Sequence, residues 1–242
     1  MATTLYNPNR SNWFNPNIQY LFDEEIIEYD IRDAGFSLIR QYKLLSPDKI
    51  QELAAMGKGE ARHIAVGNLQ KDKEFSQALL EKFAEVRALF INANNLTDDD
   101  IIAVKKDAIF VTGKCRRRTF GLVEFAQKNY YSSYVRLDHL RPAVEFYYSQ
   151  SQIDVKGMGT MAVAKHRIYM LEFIRQMISD IETRNFHHLR RFVDTFVDQY
   201  KHGGLDETYY LEFNNLSKNP NPIYNYQQVI IPIIQIALRE MD

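Results

Sequence analysis

Cysteine is nearly missing from this chain: Cys115 stands alone among 242 residues, so no internal disulfide can form and a reducing compartment is expected. A surplus of either charge is missing too, since 30 Lys and Arg against 31 Asp and Glu leave a net charge of −1. Bulk electrostatics therefore name no partner, and any nucleic-acid site has to be a local basic stripe. No apolar run reaches the roughly 18 residues of a membrane helix, and the opening "MATTLYNPNRSNWFNPN" has neither the basic start nor the apolar stretch of a secretory signal. The expectation is a cytoplasmic protein with no membrane partner. Internal repeats and low-complexity tracts are absent as well, which points away from repeat arrays and disordered linkers.

What is present is apolar and aromatic. Hydrophobic residues make up 45% of the chain, with 15 Tyr and 15 Phe, enough for one large domain or two small ones with a sizeable core. Residues 1–22, rich in Asn and Pro with Trp13, Phe14 and Tyr20 interspersed, read as an extended arm pinned by aromatics. The strand "EIIEYDI" follows, then a short helix over 34–44 carried by Phe36, Leu38, Ile39 and Tyr42. "SPDK" at 46–49 starts another helix, with a Ser cap and Pro in the first turn. Phe75, Leu79, Phe83, Val86 and Phe90 recur at helical spacing, which predicts a helix over 72–92.

"IIAV" and "AIFVT", flanking a polar KKD, read as a β-hairpin, and "FGLVEFA", "YYSSYVRL", "AVEFYY" and "QIDVKGM" continue as strands. Beyond Gly159 the pattern turns helical, with stripes Met170–Leu171–Ile174–Met177–Ile178 and Leu189–Phe192–Val193–Phe196–Tyr200. "HGGLD" at 202–206 ends a helix. "VIIPIIQIAL" forms the last one, with Pro232 near its start. The fold class is α+β: a small antiparallel sheet, helices inserted before its central hairpin, and a helical C-terminal third.

Asp30 ends one strand and Asp107 lies at the tip or first position of a hairpin strand. Two carboxylates at neighbouring strand ends can hold a pair of Mg²⁺ ions for phosphoryl or nucleotidyl transfer, which requires hard oxygen ligands. An ordinary alternative stands beside this, because an Asp after a strand often caps a helix, and Asp30 or Asp33 can serve the helix at 34–44 that way.

In their order along the chain these residues resemble the palm of B-type replicative DNA polymerases, particularly the short protein-primed viral ones. That family's first motif, Tyr-Asp-x-x-Ser-x-Tyr-Pro-Ser, is matched by Tyr29, Asp30 and Ser37, while Asp33, Gly35 and Phe36 depart from it. "KKDAIFV" at 105–111 is similar to the third motif around its metal-holding aspartate, with Lys105 in place of the first. Lys128, Asn129 and Tyr130 match a Lys-x-Tyr element that grips the primer end, and Lys156 with Gly157 a Lys-Gly pair ahead of the thumb. Reverse transcriptases share a similar first motif, so the resemblance, over about 24–160, is to a palm in general.

The resemblance implies three regions: an arm at 1–22, a palm-like domain at 23–160 with a finger-like insertion near 46–95, and a thumb-like helical region at 161–242. It further implies Asp30 and Asp107 as Mg²⁺ ligands, Lys58 or Arg62 meeting the triphosphate, and Lys128, Tyr130, Lys156 and Gly157 against a DNA or RNA primer–template. Gly35 stands where the family has a bulky Tyr against the sugar 2′-hydroxyl, so ribonucleotides would be tolerated; the same glycine can simply let the strand–helix junction pack closely.

Such small palms suit a phage or plasmid, with viral replication proteins as partners. A second possibility is a polymerase-derived binding or assembly protein that has lost catalysis, and a third is a structural protein with chance matches. Cys115 lies beside Arg116–Arg118, which can lower a thiol pKa, but no catalytic partner is visible. The run Arg116–Arg118 itself reads as a solvated hairpin end. His187 and His188 are adjacent and cannot share a helix face, so no zinc site is expected.

Overall fold

A computed structural model of the chain describes Tyr6, residues 12–160, Val163, residues 170–206, Tyr210 and residues 226–241. The class is α+β, as expected, with antiparallel pairing throughout the registered strand pairs. Two compact units divide it, one within Met1–Ile18 and Glu25–Tyr130, the other within Gln19–Glu24 and Tyr131–Asp242.

The first unit is built on a six-stranded sheet in the order β1 (Trp13–Phe14), β4 (Ile101–Val104), β5 (Ala108–Thr112), β3 (Ile26–Ile31), β7 (Val123–Tyr131) and β6 (Thr119–Phe120). Four helices come between β3 and β4: α1 (Ala34–Tyr42), α2 (Pro47–Ala55), α3 (Glu60–Leu69) and α4 (Lys73–Ala93). The N-terminus anticipated from capping residues at 46–47 is realised, and the helix anticipated from apolar spacing over 72–92 has a cap that the spacing did not name. The Ser46 hydroxyl accepts the Lys49 N–H with Pro47 in the first turn, and the Asp72 carboxylate accepts the Phe75 N–H to open α4. The helical stripe of α4 buries Leu79, Phe83, Val86 and Phe90, each contributing about 1.5–3 kcal/mol if fully removed from water. Phe90 packs on Tyr29 and Phe125 at ring-centroid distances of 5.3 and 4.4 Å, which ties the helix to the two strands that carry the site. The aromatic arm is pinned where it is described: Tyr6 and Trp13 are buried in this core, edge to face at 5.3 Å.

The second unit holds a four-stranded sheet, β10 (Gln152–Lys156), β9 (Val144–Ser149), β8 (Ser133–Leu137) and β2 (Tyr20–Leu21). With it pack α5 (Glu172–Glu182), α6 (Phe186–Lys201) and α7 (Ile231–Met241), the last preceded by a π turn at Tyr226–Ile230. The apolar stripes expected on α5 and α6 are the buried ones, Ile174, Met177 and Ile178 on one, Leu189, Val193 and Phe196 on the other. α6 stops at His202, with Gly203 in the left-handed conformation at φ 70°.

Two expectations are corrected. There are two sheets rather than one, and the division falls at 130/131 rather than at 160, so the C-terminal unit is α+β and not a helical region alone. The reason is pairing. β8 and β9 bond to each other and are buried along nearly their whole length, forming a core with α5–α7 that β3 and β5 do not share. The arm expected at 1–22 likewise serves both sheets, β1 in one and β2 in the other. Among the described residues no helix is long and apolar enough to cross a membrane.

Candidate functional site

The sheet of the first unit brings the two aspartates together. β3 and β5 run antiparallel with Asp30 opposite Ala108, and the Ile31 N–H donates to the Asp107 carbonyl at 2.9 Å. Lys106 and Asp107 form the tip of the β4–β5 hairpin, closed by the Lys105 N–H to the Ala108 carbonyl at 2.8 Å. Asp30 and Asp107, 77 positions apart in sequence, thus reach the same end of the sheet. Both line one cavity of about 350 Å³, together with Asp33, Gly35, Phe36, His63, Gln70 and Lys106.

Buried contacts fix both acids from behind. The Tyr29 hydroxyl accepts the Cys115 N–H at 2.8 Å, holding the residue next to Asp30. Arg87 on α4 is 1% exposed; its Nη1 donates to the Lys106 carbonyl at 2.5 Å and its Nε to the Tyr6 hydroxyl at 3.1 Å. A buried guanidinium thereby anchors the hairpin tip to the helix.

Lys128 reaches in from β7. Its Nζ lies 2.5 Å from Asp30 Oδ2 and 3.7 Å from Glu28 Oε1. The hydrogen bond to Asp30 raises the Lys128 pKa, with Glu28 and Asp107 adding to the effect and burial opposing it. The ammonium thus sits among three carboxylates. Its side chain is 52% exposed, so this pairing is worth at most about 1 kcal/mol. Glu28, which sequence alone did not single out, is 2% exposed and accepts a hydrogen bond from Asn129 Nδ2 at 2.6 Å. Its position two residues before Asp30 on one strand was the available signal.

The first turn of α1 forms another wall. Asp33 occupies the N-cap position in the left-handed region, φ 50°, a conformation Asp tolerates better than most residues. Its carboxylate does not cap the helix. Oδ2 accepts from Arg62 Nη2 at 2.6 Å instead, and Arg62 stacks over Phe36 at 4.3 Å. Asp30 does not cap it either, since Asp30 meets Lys128. The capping alternative for both aspartates is therefore corrected: cationic partners claim their side chains.

Other site expectations are redistributed. Arg62 is 6% exposed and paired with Asp33, and Lys58 is exposed in the turn before α3; neither lines the cavity. The cavity's own lysine is Lys106, with Gln70 and His63 nearby on the wall, three residues that the polymerase resemblance gives no role. Gly35 lines the cavity, and an added Cβ there would lie 2.6 Å from Val66 Cγ1 on α3, so the close helix approach is one reason for glycine.

Tyr130, at the end of β7, is 49% exposed. Lys156 and Gly157 belong to the second unit, where Lys156 pairs in register with Glu145 and Gly157 makes a tight turn at φ 81° over the Ala143 carbonyl. Cys115 is buried, and burial pushes its thiol up to about 11 despite Arg118; the expected lowering by the arginines is overturned because desolvation outweighs the nearby charge.

The donor chemistry suits Mg²⁺ in one mode. Among the described residues no group of three or more His, Cys, Asp or Glu is placed to hold a metal, so a closed protein cage is not formed. Mg²⁺ commonly binds through one or two carboxylates, with waters and substrate phosphates completing the octahedron. Asp30 and Asp107, hard oxygen donors on the wall of one cavity, are ligands of that kind.

A family model described as Bacteriophage PBS1 gene 130 protein matches residues 1–238. No curated protein matches the chain.

Proposed function

We propose that the chain, which belongs to this phage protein family, is a compact palm-type nucleotidyltransferase whose reaction centre is the cavity at the Asp30–Asp107 end of the first unit. One observation carries the reading: two acids distant in sequence, Asp30 on β3 and Asp107 at the β4–β5 tip, those that the polymerase resemblance singled out, line one cavity, and Lys128 meets Asp30 from β7.

Asp30 and Asp107 would hold Mg²⁺. When bound, the ions neutralise charge on the phosphoryl oxygens and lower the pKa of an attacking hydroxyl. The chain's own residues supply the rest. Ala34, Gly35 and Phe36 bring the start of α1 to the cavity, and no side chain caps that helix. Its first amides are therefore suited to phosphate oxygens. Gly35 places no side chain against the sugar, so ribonucleotides enter alongside deoxyribonucleotides. Lys128 releases or shares Asp30 as the substrate arrives, and with Tyr130 offers a cation and an aromatic face to a primer or template strand. Viral replication proteins in the host cytoplasm are the partners this chemistry calls for.

A second reading has its own support. Asp30 is already engaged by an ammonium at 2.5 Å, and Lys105 replaces an acid of the family's third motif, its Nζ 3.9 Å from the Phe14 ring centroid. On that reading the chain is a polymerase-derived nucleic-acid-binding or assembly protein without catalysis. Primer extension separates the two. Incorporation that needs Mg²⁺ or Mn²⁺ and disappears in Asp30→Asn and Asp107→Asn supports the enzyme. Strand binding without incorporation by any variant supports the binding protein, and failure of both activities refutes both readings.

A further inference from the structure

Resting on the nucleotidyl-transfer reading, we infer that Lys106, and neither Lys58 nor Arg62, is the side chain that takes the anionic phosphate chain of a nucleoside triphosphate. Such a residue needs a place on the cavity wall, a charge not already neutralised, and a support that holds it in position. Lys58 lacks the first, being exposed and off the wall. Arg62 lacks the second, because Asp33 holds it at 2.6 Å. Lys128 is engaged in the same way by Asp30 and Glu28.

Lys106 meets all three conditions. It lines the cavity beside Asp107. Its Nζ donates to the neutral amide oxygen of Gln70 and lies 5.3 Å from the centroid of the Phe83 ring, so the contacts that hold it leave the charge uncompensated. Exchanging a neutral amide acceptor for a phosphate oxygen is favourable, since hydrogen bonds between ionised partners are roughly twice as strong as neutral ones. The support is Arg87, whose buried guanidinium grips the Lys106 carbonyl. The phosphate chain would then lie between the Lys106 ammonium and the ions held by Asp30 and Asp107, charges of one sign on both sides of a polyanion. In the absence of substrate Gln70 keeps the ammonium on the wall.

The test is calorimetric titration of inorganic triphosphate, with Mg²⁺ present, into the full chain and its variants. Lys106→Met is expected to bind at least about tenfold more weakly, the worth of one charge-assisted hydrogen bond. Lys106→Arg should recover most of the affinity, and Lys58→Met should stay within about twofold of wild type, as its exposed position requires. If circular dichroism shows that the Met variant misfolds, Lys106→Gln, which retains a partner for Gln70, replaces it. Undiminished binding by Lys106→Met or Lys106→Gln overturns the inference, as does absence of triphosphate binding by wild type. Nucleotide incorporation run on the same proteins keeps the two claims apart. Lys106-dependent triphosphate binding without incorporation removes the transferase reading and leaves the anion site, whereas incorporation with an unchanged nucleotide KM in Lys106→Met removes the role of Lys106 and leaves the transferase.

Discussion

Replacing Gly35 with alanine asks whether the glycine is there for packing. A Cβ at this position meets Val66 Cγ1 at 2.6 Å, well inside van der Waals contact. Val66 is 6% exposed and packs with Phe36, Ile39 and Leu53. Being β-branched and helical, it has one strongly preferred rotamer and cannot swing aside cheaply. Overpacking of this kind costs about 1–3 kcal/mol, against about 0.5–1 kcal/mol of helix propensity gained by alanine. That gain is smaller in the first turn, where Gly35 sits. The net expectation is a loss of about 1–2 kcal/mol.

Val66→Ala alone removes two buried methyl groups, about 1.6 kcal/mol by transfer. It also vacates the space the new Cβ needs, so the double variant should be more stable than the sum of the single changes by about 1–3 kcal/mol. Urea titrations of wild type, both single variants and the double variant measure this coupling. Gly35→Ala at or above wild-type stability, or a cycle additive within about 0.5 kcal/mol, would refute the packing account. The proposed sugar-gate role is separable by activity: incorporation of dATP with strong rejection of ATP would leave Gly35 with packing alone.

Two further predictions follow from buried groups. Cys115, with its thiol pushed up to about 11 from an ordinary value near 9, should react with a disulfide reagent at pH 8 far more slowly in the folded protein than in urea. Because its folded pKa is the higher one, its contribution to stability is intact below pH 9 and lost as pH rises toward 11, so Cys115→Ala should flatten the alkaline decline in urea midpoint, and an unchanged decline counts against the burial account. Arg87→Met should cost about 2–4 kcal/mol, because the Tyr6 hydroxyl and the Lys106 carbonyl would each lose a donor in the interior; a urea midpoint equal to wild type would show that the anchor contributes nothing.

Local chemistry was largely legible. Ser46 and Pro47 announced α2, the helical spacing of Phe75, Leu79, Phe83, Val86 and Phe90 announced α4, and the KKD tip between two apolar runs announced the β4–β5 hairpin, because caps, turns and periodicity act over a few neighbouring residues. The two aspartates were legible as strand-end acids for the same reason. Sheet membership was not. β8 and β9 are buried on both faces, so they lack the alternation that would have marked which side meets which core. The pairing of cations with acids was not legible either, since Arg62 and Asp33 are 29 positions apart and Lys128 and Asp30 are 98 apart, and nothing in a linear pattern couples residues at such separations.

The order of amino acids was sufficient for the α+β class, for the positions of α1 and α4, the start of α2 and the β4–β5 hairpin, and for the placement of Asp30 and Asp107 at strand ends. Tertiary structure alone decided that those ends coincide, that Lys128 and Arg62 are spent on carboxylates, and that Lys106 remains on the cavity wall. The physical reason is that backbone hydrogen bonding lets any two apolar strands pair, while long charged side chains reach several ångströms beyond their own Cα. Which partner wins is settled only when the whole core closes.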